Sequence, residues 1–488
     1  MAPRNLSEVD EDVNASVATS SSGGKVIATP GYLAGLEALH SRFGRLTWSS
    51  LFESAVSLAH FGFPVYPELA AILGRFQKTI ARRHSLRHIF WNRQTDSVYH
   101  ENETLLQPEL ALTLLRVARE GPKALSQGTL ARQFIGDLEE LGSPVTQDDL
   151  LFYRPAWKTP VQSVSLAGAR LHAPPPPGSG ALLAFMLATM DMFRPSRKDL
   201  LSDGPLTYHR FIEAMKFAHP FREDLGDDAV ENVDDTVANL VSRGQALKTS
   251  GRISDTSTFS DVIFYVFDMQ LVRDTIRGVA ERESLEHYGD IPREPEHDAS
   301  SGNRNGGVHY DRATRRPRSR MGSHEASTST GMLLNNELSA FTSRLPERYL
   351  GHAGVSLNFA QPGKRPLSPL APSVLLDAAE GRLVAALATS EDFELPQYAT
   401  WVLCQLLLMN KTMADAVSAT KVRYRASIKG VLYDTDLPWE TVRELRSRGH
   451  RMFPLQDNIT NAAAIFIDES HFVYAAVNYR VGGYFDGN

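Results

Sequence analysis

The chain has 488 residues and a mass of 54.0 kDa, room for about three domains' worth of core or for one large layered domain. Hydrophobic residues make up 42% and charged residues 22%, which excludes collagen-like, coiled-coil and wholly disordered chains. With 51 Lys and Arg against 57 Asp and Glu the net charge is −6, of the wrong sign for gripping a phosphate backbone, so nucleic acid is not an expected partner.

Residues 1–24 are acidic and Ser-rich, with no basic start and no apolar stretch suited to a signal peptide, and read as a flexible tail. Trp48, Leu51, Phe52, Ala55, Val56 and Ala59 recur at three and four, which predicts a helix with a core-facing side. The same rule predicts a helix through Leu110, Leu114, Val117 and Ala118. It predicts another through Tyr208, Phe211, Ile212, Met215 and Ala218, opened by Thr207 as N-cap; the two stop at Gly121-Pro122 and Pro220. Between them 161–173 reads as a strand, Pro174 to Gly180 as a breaker loop and 181–193 as an apolar helix. Residues 268–330 change character, with Gly, Ser and Asn runs and the basic cluster 315–320, which reads as solvated charge rather than packed core. Beyond them 373–376 with 383–387, and 463–467 with 472–477, predict two hairpins. The apolar run 401–409 is too short for the roughly 20 residues of a spanning helix, so it is expected to be buried and no membrane span is expected. A helical first half followed by hairpins argues a layered α/β architecture.

Few residues suggest chemistry by themselves. The single cysteine, Cys404, excludes an intrachain disulfide and a multi-thiolate zinc site, and its apolar surroundings predict an inert buried thiol. His209 and Glu213 stand four apart on one helical face, but without a second matched pair no metal is predicted. Sequons at Asn5, Asn14, Asn102, Asn410 and Asn458 would suit a secretory history and are about as many as chance supplies.

Several segments, in order, resemble the γ-glutamyltransferases, the glutathione hydrolases of the N-terminal-nucleophile class. They are Thr29-Pro30-Gly31; Phe43-Gly44-Arg45-Leu46-Thr47-Trp48; Leu206-Thr207-Tyr208-His209-Arg210; Leu225-Gly226-Asp227; Asn335-Asn336-Glu337; and Gln361-Pro362-Gly363-Lys364-Arg365-Pro366-Leu367-Ser368. The resemblance implies an α/β, layered αββα fold that is truncated at its N-terminus. It implies a large-subunit-like helical region at 25–265, a degenerate linker at 266–330 and a small-subunit-like region with hairpins at 331–488. It also implies action on glutathione or another γ-glutamyl compound, at the outer face of the plasma membrane, with no cofactor.

In such enzymes a precursor cuts itself before a Thr, whose hydroxyl attacks the γ-glutamyl amide while its new α-amine acts as base. An ungapped reading back from Glu337 by about 40 residues meets Asp298 instead. Thr256 and Thr258 match a segment ahead of the cleavage point, Thr314 lies beside the basic run, and Thr328 and Thr330 are too near Glu337, so no catalytic residue is assigned. The supporting Thr and Asn of the family fall on Arg316 and Arg318, and the oxyanion glycines on Glu391 and Asp392. The residual substrate site consists of Glu337 for the α-amino group, its acidic partner being replaced by Ala340. Ser368 serves the carboxylate, its neighbour being Pro369, which has no donor. The missing opening section would carry the arginine that clamps the carboxylate, and no residue is assigned that role. The plainer reading of the pair is that Glu337 caps a turn and Ser368 is a loop hydroxyl.

Three functions follow. The chain is an inactive homologue serving as a binding scaffold, a working hydrolase whose residues 268–330 are a mis-joined insertion, or a glutathione binder that does not cleave.

Overall fold

In the computed structural model of the chain, residues 1–4, 22–163, 166–194, 204–222, 224–258, 321–342, 356–389, 396–455, 462–467 and 472–477 are described. The strands that matter for the site are β1 (Val161–Gln162), β2 (Ala169–Ala173), β3 (Ser373–Asp377), β4 (Leu383–Thr389), β5 (Val422–Arg425), β6 (Gly430–Asp434), β7 (Met452–Leu455), β8 (Ala462–Ile467) and β9 (Val473–Val477). Six of them form one antiparallel sheet in the order β9-β8-β4-β3-β2-β1. Both predicted hairpins are present in it, joined side by side through β4 and β8. The remaining three form a small sheet in which β5 and β6 are antiparallel. There β6 and β7 are parallel, linked by a crossing helix at Trp439–Ser447.

Alternation decides which face of the large sheet is core. Leu171, Leu375, Ala385, Leu387 and Ala464 point to one side and are buried, whereas Val374, Ile465 and Val473 point to the other and are exposed. The helices used below are α1 (Tyr32–Phe43), α2 (Glu53–Phe61), α3 (Pro108–Glu120), α4 (Gly128–Glu140), α5 (Gly180–Met192), α6 (Gly204–Ala218) and α7 (Trp439–Ser447). In α5 every residue from Gly180 to Met190 is buried, as expected of a helix apolar on all sides, and it lies against β2, α6 and the helix Gln397–Leu403. Trp401, from that helix, stacks on Phe211 of α6 with centroids 4.7 Å apart. The run 401–409 is thus buried at its start and leaves the α form through a π turn at Cys404–Leu408. Cys404 is fully buried, and burial first, then the Asp191 carboxylate, pushes its thiol pKa far up. No helix among the described residues is long and apolar enough to cross a membrane.

Three local expectations are corrected. Residues 161–173 are two paired strands rather than one, because Ala167 and Gly168 turn at positive φ between them. Helix α6 starts at Gly204, so Thr207 is a buried residue inside it and not a cap; Pro205 fits the first turn, where its missing N–H costs nothing. The face from Trp48 to Ala59 is not one core stripe. Ser49–Phe52 is a 3-10 turn, only Ala59 is buried, and Leu51 stays 49% exposed. The segment rides on α3 at the edge of the molecule, where the Trp48 indole donates to the Val117 carbonyl at 3.0 Å.

The tail expected at 1–24 falls largely on residues outside the described set. Its first residues are packed: the Ala2 amide donates to the Lys364 carbonyl at 2.7 Å and Ala2 is fully buried. Residues 321–330, the end of the expected linker, are also packed, with Ser323, Ser327 and Thr330 fully buried.

Candidate substrate site

Glu337 opens a short 3-10 turn, Glu337–Ala340, whose Leu338 is buried with Ala2, Ala28, Phe341 and Ala360. The turn is fixed by Asn335, whose Oδ1 accepts from the amides of Ala28 and Glu337, both at 3.0 Å, and whose Nδ2 donates to the Ala28 carbonyl at 2.9 Å. One Asx turn therefore does what the plainer reading of Glu337 asked of the motif, and the half-buried carboxylate remains as the turn's charged group.

Ser368 lies on the loop 363–370. Its amide donates to the Pro177 carbonyl at 2.8 Å, and its own carbonyl accepts from the Ser179 hydroxyl at 2.6 Å. Its Oγ accepts from the Leu370 amide at 3.3 Å, an ST turn that leaves the hydroxyl hydrogen as the group's donor. Pro369 is buried beside it.

The Glu337 turn and the Ser368 loop are tied together by one buried side chain. Asn358, fully buried, donates from Nδ2 to the Ala340 carbonyl at 2.9 Å and accepts at Oδ1 from the Leu367 amide at 3.0 Å. A second hub is Asp227, also fully buried, which accepts from the Arg365 amide at 2.8 Å and lies 3.7 Å from the Arg365 guanidinium and 3.5 Å from the Lys158 ammonium. Lys158 also pairs with Asp228 and donates to the Pro176 carbonyl at 2.8 Å. Lys364, fully buried, pairs with Glu231. These charges converge on one place. The buried Met1 amino group has its pKa lowered to about 6, by desolvation first and then by Arg365, against the raising pull of Glu337, Asp227 and Asp149.

Of the hydroxyls weighed as nucleophiles, those of Thr330, Thr258 and Thr256 have other partners. Thr330 donates to Ser327 Oγ at 2.5 Å while its carbonyl accepts from Thr113 at 2.9 Å. Ser327 in turn donates to Asp137, which also accepts from the Ser329 amide at 2.9 Å and hydroxyl at 2.8 Å. Thr258 donates to Glu213 at 2.6 Å and accepts from Lys216. Thr256 sits in an exposed turn, its amide donating to Ser254 Oγ at 3.3 Å. Asp298, Thr314, Arg316, Arg318, the cluster 315–320, Glu391 and Asp392 lie outside the described residues.

His209 and Glu213 gain a third neighbour that spacing could not show. His450, just after α7, brings its ring to His209 Nδ1 at 2.7 Å, and the donor atoms of His209, Glu213 and His450 lie within 4.8 Å of one another, all buried. His209 Nε2 meets the Ser254 carbonyl at 2.7 Å, which fixes Nε2–H and leaves Nδ1 as acceptor. Burial lowers both pKa values. That of His450 is pushed down to about 2, with the charges of Lys216, His209 and Arg448 adding to the effect. Two rings in direct hydrogen-bond contact, and a Glu213 already engaged by Lys216 and Thr258, make this a buried polar staple between α6, α7 and the turn at 254–258.

The fold is that of the N-terminal-nucleophile hydrolases. The crystal structure of cephalosporin acylase from Bacillus halodurans superposes with a TM-score of 0.76 at 20% identity, covering 100% of this chain and 84% of that one. A sequence model of the gamma-glutamyltranspeptidase family matches residues 1–486, and the chain belongs to that family. It is similar to scoloptoxin SSD14 of Scolopendra dehaani, with 28% identity over 471 residues, 96% of this chain and 78% of that protein. It is also similar to the glutathione hydrolase 5 proenzyme of Rattus norvegicus, with 28% identity across 94% of this chain and 76% of the relative. Glutathione hydrolase 3 of Arabidopsis thaliana is 29% identical across 88% of this chain and 64% of its own length.

Proposed function

We propose that this chain binds γ-glutamyl compounds, glutathione first among them, and does not cleave them. Glu337 takes the substrate α-amino group and Ser368 donates to its carboxylate. The observation that carries this reading is Asn358, which holds the Glu337 turn by one amide atom and the Ser368 loop by another, so the two groups share one rigid frame. Turnover needs a hydroxyl beside its own freed amine, and Thr330 is committed to a buried hydrogen bond and Thr258 to a part-buried one. Losing such a nucleophile lowers the rate by about 10⁶.

The test is a denaturing gel of the purified chain, hydrolysis of a γ-glutamyl anilide and calorimetric titration with glutathione. One band near the full 54.0 kDa, no released anilide and a binding isotherm are expected. Two bands with turnover overturn the reading.

A further inference from the structure

A second recess lies on the helical side of the molecule. Helix α1, the 3-10 turn Pro122–Leu125 and the chain leaving the helix Gln147–Phe152 enclose a cavity of about 410 Å³, a size that suits a small organic ligand. Its floor is apolar, formed by Leu33 of α1, Leu125 of the turn and Leu150. Three charges stand on its walls: Glu37, one turn along α1 from Leu33, Lys123 in the turn, and Arg154 beyond the helix. Glu337, Asn358 and Ser368 do not line it, so it is a separate site.

The walls are held in place by the protein itself. The Tyr153 ring lies so close over Gly31 that a Cβ there would come within 2.3 Å of it, so glycine is what lets Tyr153 form a wall. The Lys123 carbonyl accepts from the amides of Ser126 and Gln127 at 3.0 and 2.8 Å and from the Ser126 hydroxyl at 3.2 Å, which fixes the turn. Arg154 Nη1 donates to the Leu151 and Tyr153 carbonyls at 2.8 and 2.7 Å. That orients the guanidinium and leaves its Nε and Nη2 hydrogens for a ligand. Among the described residues neither Glu37, which is half-buried, nor Lys123 makes an ion pair. A half-buried carboxylate calls for a hydrogen-bond donor, and an ammonium and a guanidinium beside an apolar floor call for an anion.

We propose that this cavity binds a small organic acid whose apolar body carries a hydrogen-bond donor at the end away from the acid group. The ligand's carboxylate lies on Lys123 and Arg154, its body on Leu33, Leu125 and Leu150, and its donor on the Glu37 carboxylate. Glu37 then selects as well as binds: it accepts from a hydroxyl and repels a second acid group. This site is independent of the Glu337 and Ser368 reading above.

The experiment is calorimetric titration of the full chain with three probes: 4-hydroxyphenylacetate, phenylacetate, which lacks the donor, and 4-hydroxyphenylacetamide, which lacks the charge. It is repeated on Lys123→Met and Glu37→Gln, with a thermal melt of each protein. The unaltered chain is expected to bind 4-hydroxyphenylacetate about tenfold more tightly than the amide and about threefold more tightly than phenylacetate. In Lys123→Met the preference for acid over amide should fall to about threefold, since Arg154 remains. In Glu37→Gln the preference over phenylacetate should vanish. An unaltered chain that binds none of the probes overturns the proposal, and so do preferences that survive unchanged in both variants. Should one variant fail to melt cooperatively, the other decides. Excess glutathione should leave the titration as it was; displacement of the probe by glutathione would place it at the Glu337 frame and overturn the proposal, whereas a chain that binds the probe but not glutathione overturns only the earlier reading.

Discussion

The helix-and-sheet core around α5 and the polar frame around Glu337 are held by opposite means. The core is continuous apolar contact: α5 is buried on every side and Trp401 and Phe211 stack beneath it, so many residue choices of similar volume would serve. The frame rests on a few side chains that each bind two backbone segments, Asn335 and Asn358 above all, and no substitute of similar size reproduces their donor and acceptor pair. A fold can therefore persist at 20% identity to a solved relative. Substitutions in the core and in the frame should therefore differ in how they divide between stability and the proposed binding.

The largest effect belongs to the core. Trp401→Ala should cost about 3–5 kcal/mol in denaturant unfolding, through lost burial and the cavity left between α5 and α6; a cost near zero would mean that the stack with Phe211 carries no load. Asn358→Ala comes next. It strands the Ala340 carbonyl and the Leu367 amide and should lose about 2–3 kcal/mol together with glutathione binding, a joint loss that separates the frame from the core. Acid should act through the histidine staple. His450 and His209 have folded pKa values below their ordinary 6.5, so the unfolded chain takes up protons first. Stability is then fully present above about pH 6.5 and falls by about 1.4 kcal/mol per pH unit for each ring below it, continuing towards about pH 2 for His450. Melts between pH 7 and 5 measure this, and His450→Gln should flatten the slope. Smallest in stability is Glu337→Gln, which should stay within about 0.5 kcal/mol in unfolding and yet weaken glutathione binding about tenfold, the clearest separation of frame from core.

Local patterns are legible in the sequence where burial is one-sided or complete. The periods of α3 and α6, the two hairpins and the apolar run of α5 all stand in the sequence, because repeat lengths of 3.6 and 2 follow from backbone geometry alone. Tertiary context overrides period elsewhere. Trp48 to Ala59 has a helical rhythm but rides at an edge, and Gly204-Pro205 rather than Thr207 opens α6. Asn358 and Asp227 stand inside or beside recognisable motifs, but their roles come from partners elsewhere in the chain.

The amino-acid sequence by itself determined the class of fold, the family and the places of Glu337 and Ser368, because each is written in short contiguous runs. Only the tertiary structure decided that Asn358 joins the Glu337 turn to the Ser368 loop, that Asp227 gathers Arg365 and Lys158, and that His450 completes a cluster with a residue 241 positions away. Hydrogen bonds and charges act across ångströms of space, and no rule of spacing along a chain records which distant segments the burial of apolar surface will bring together.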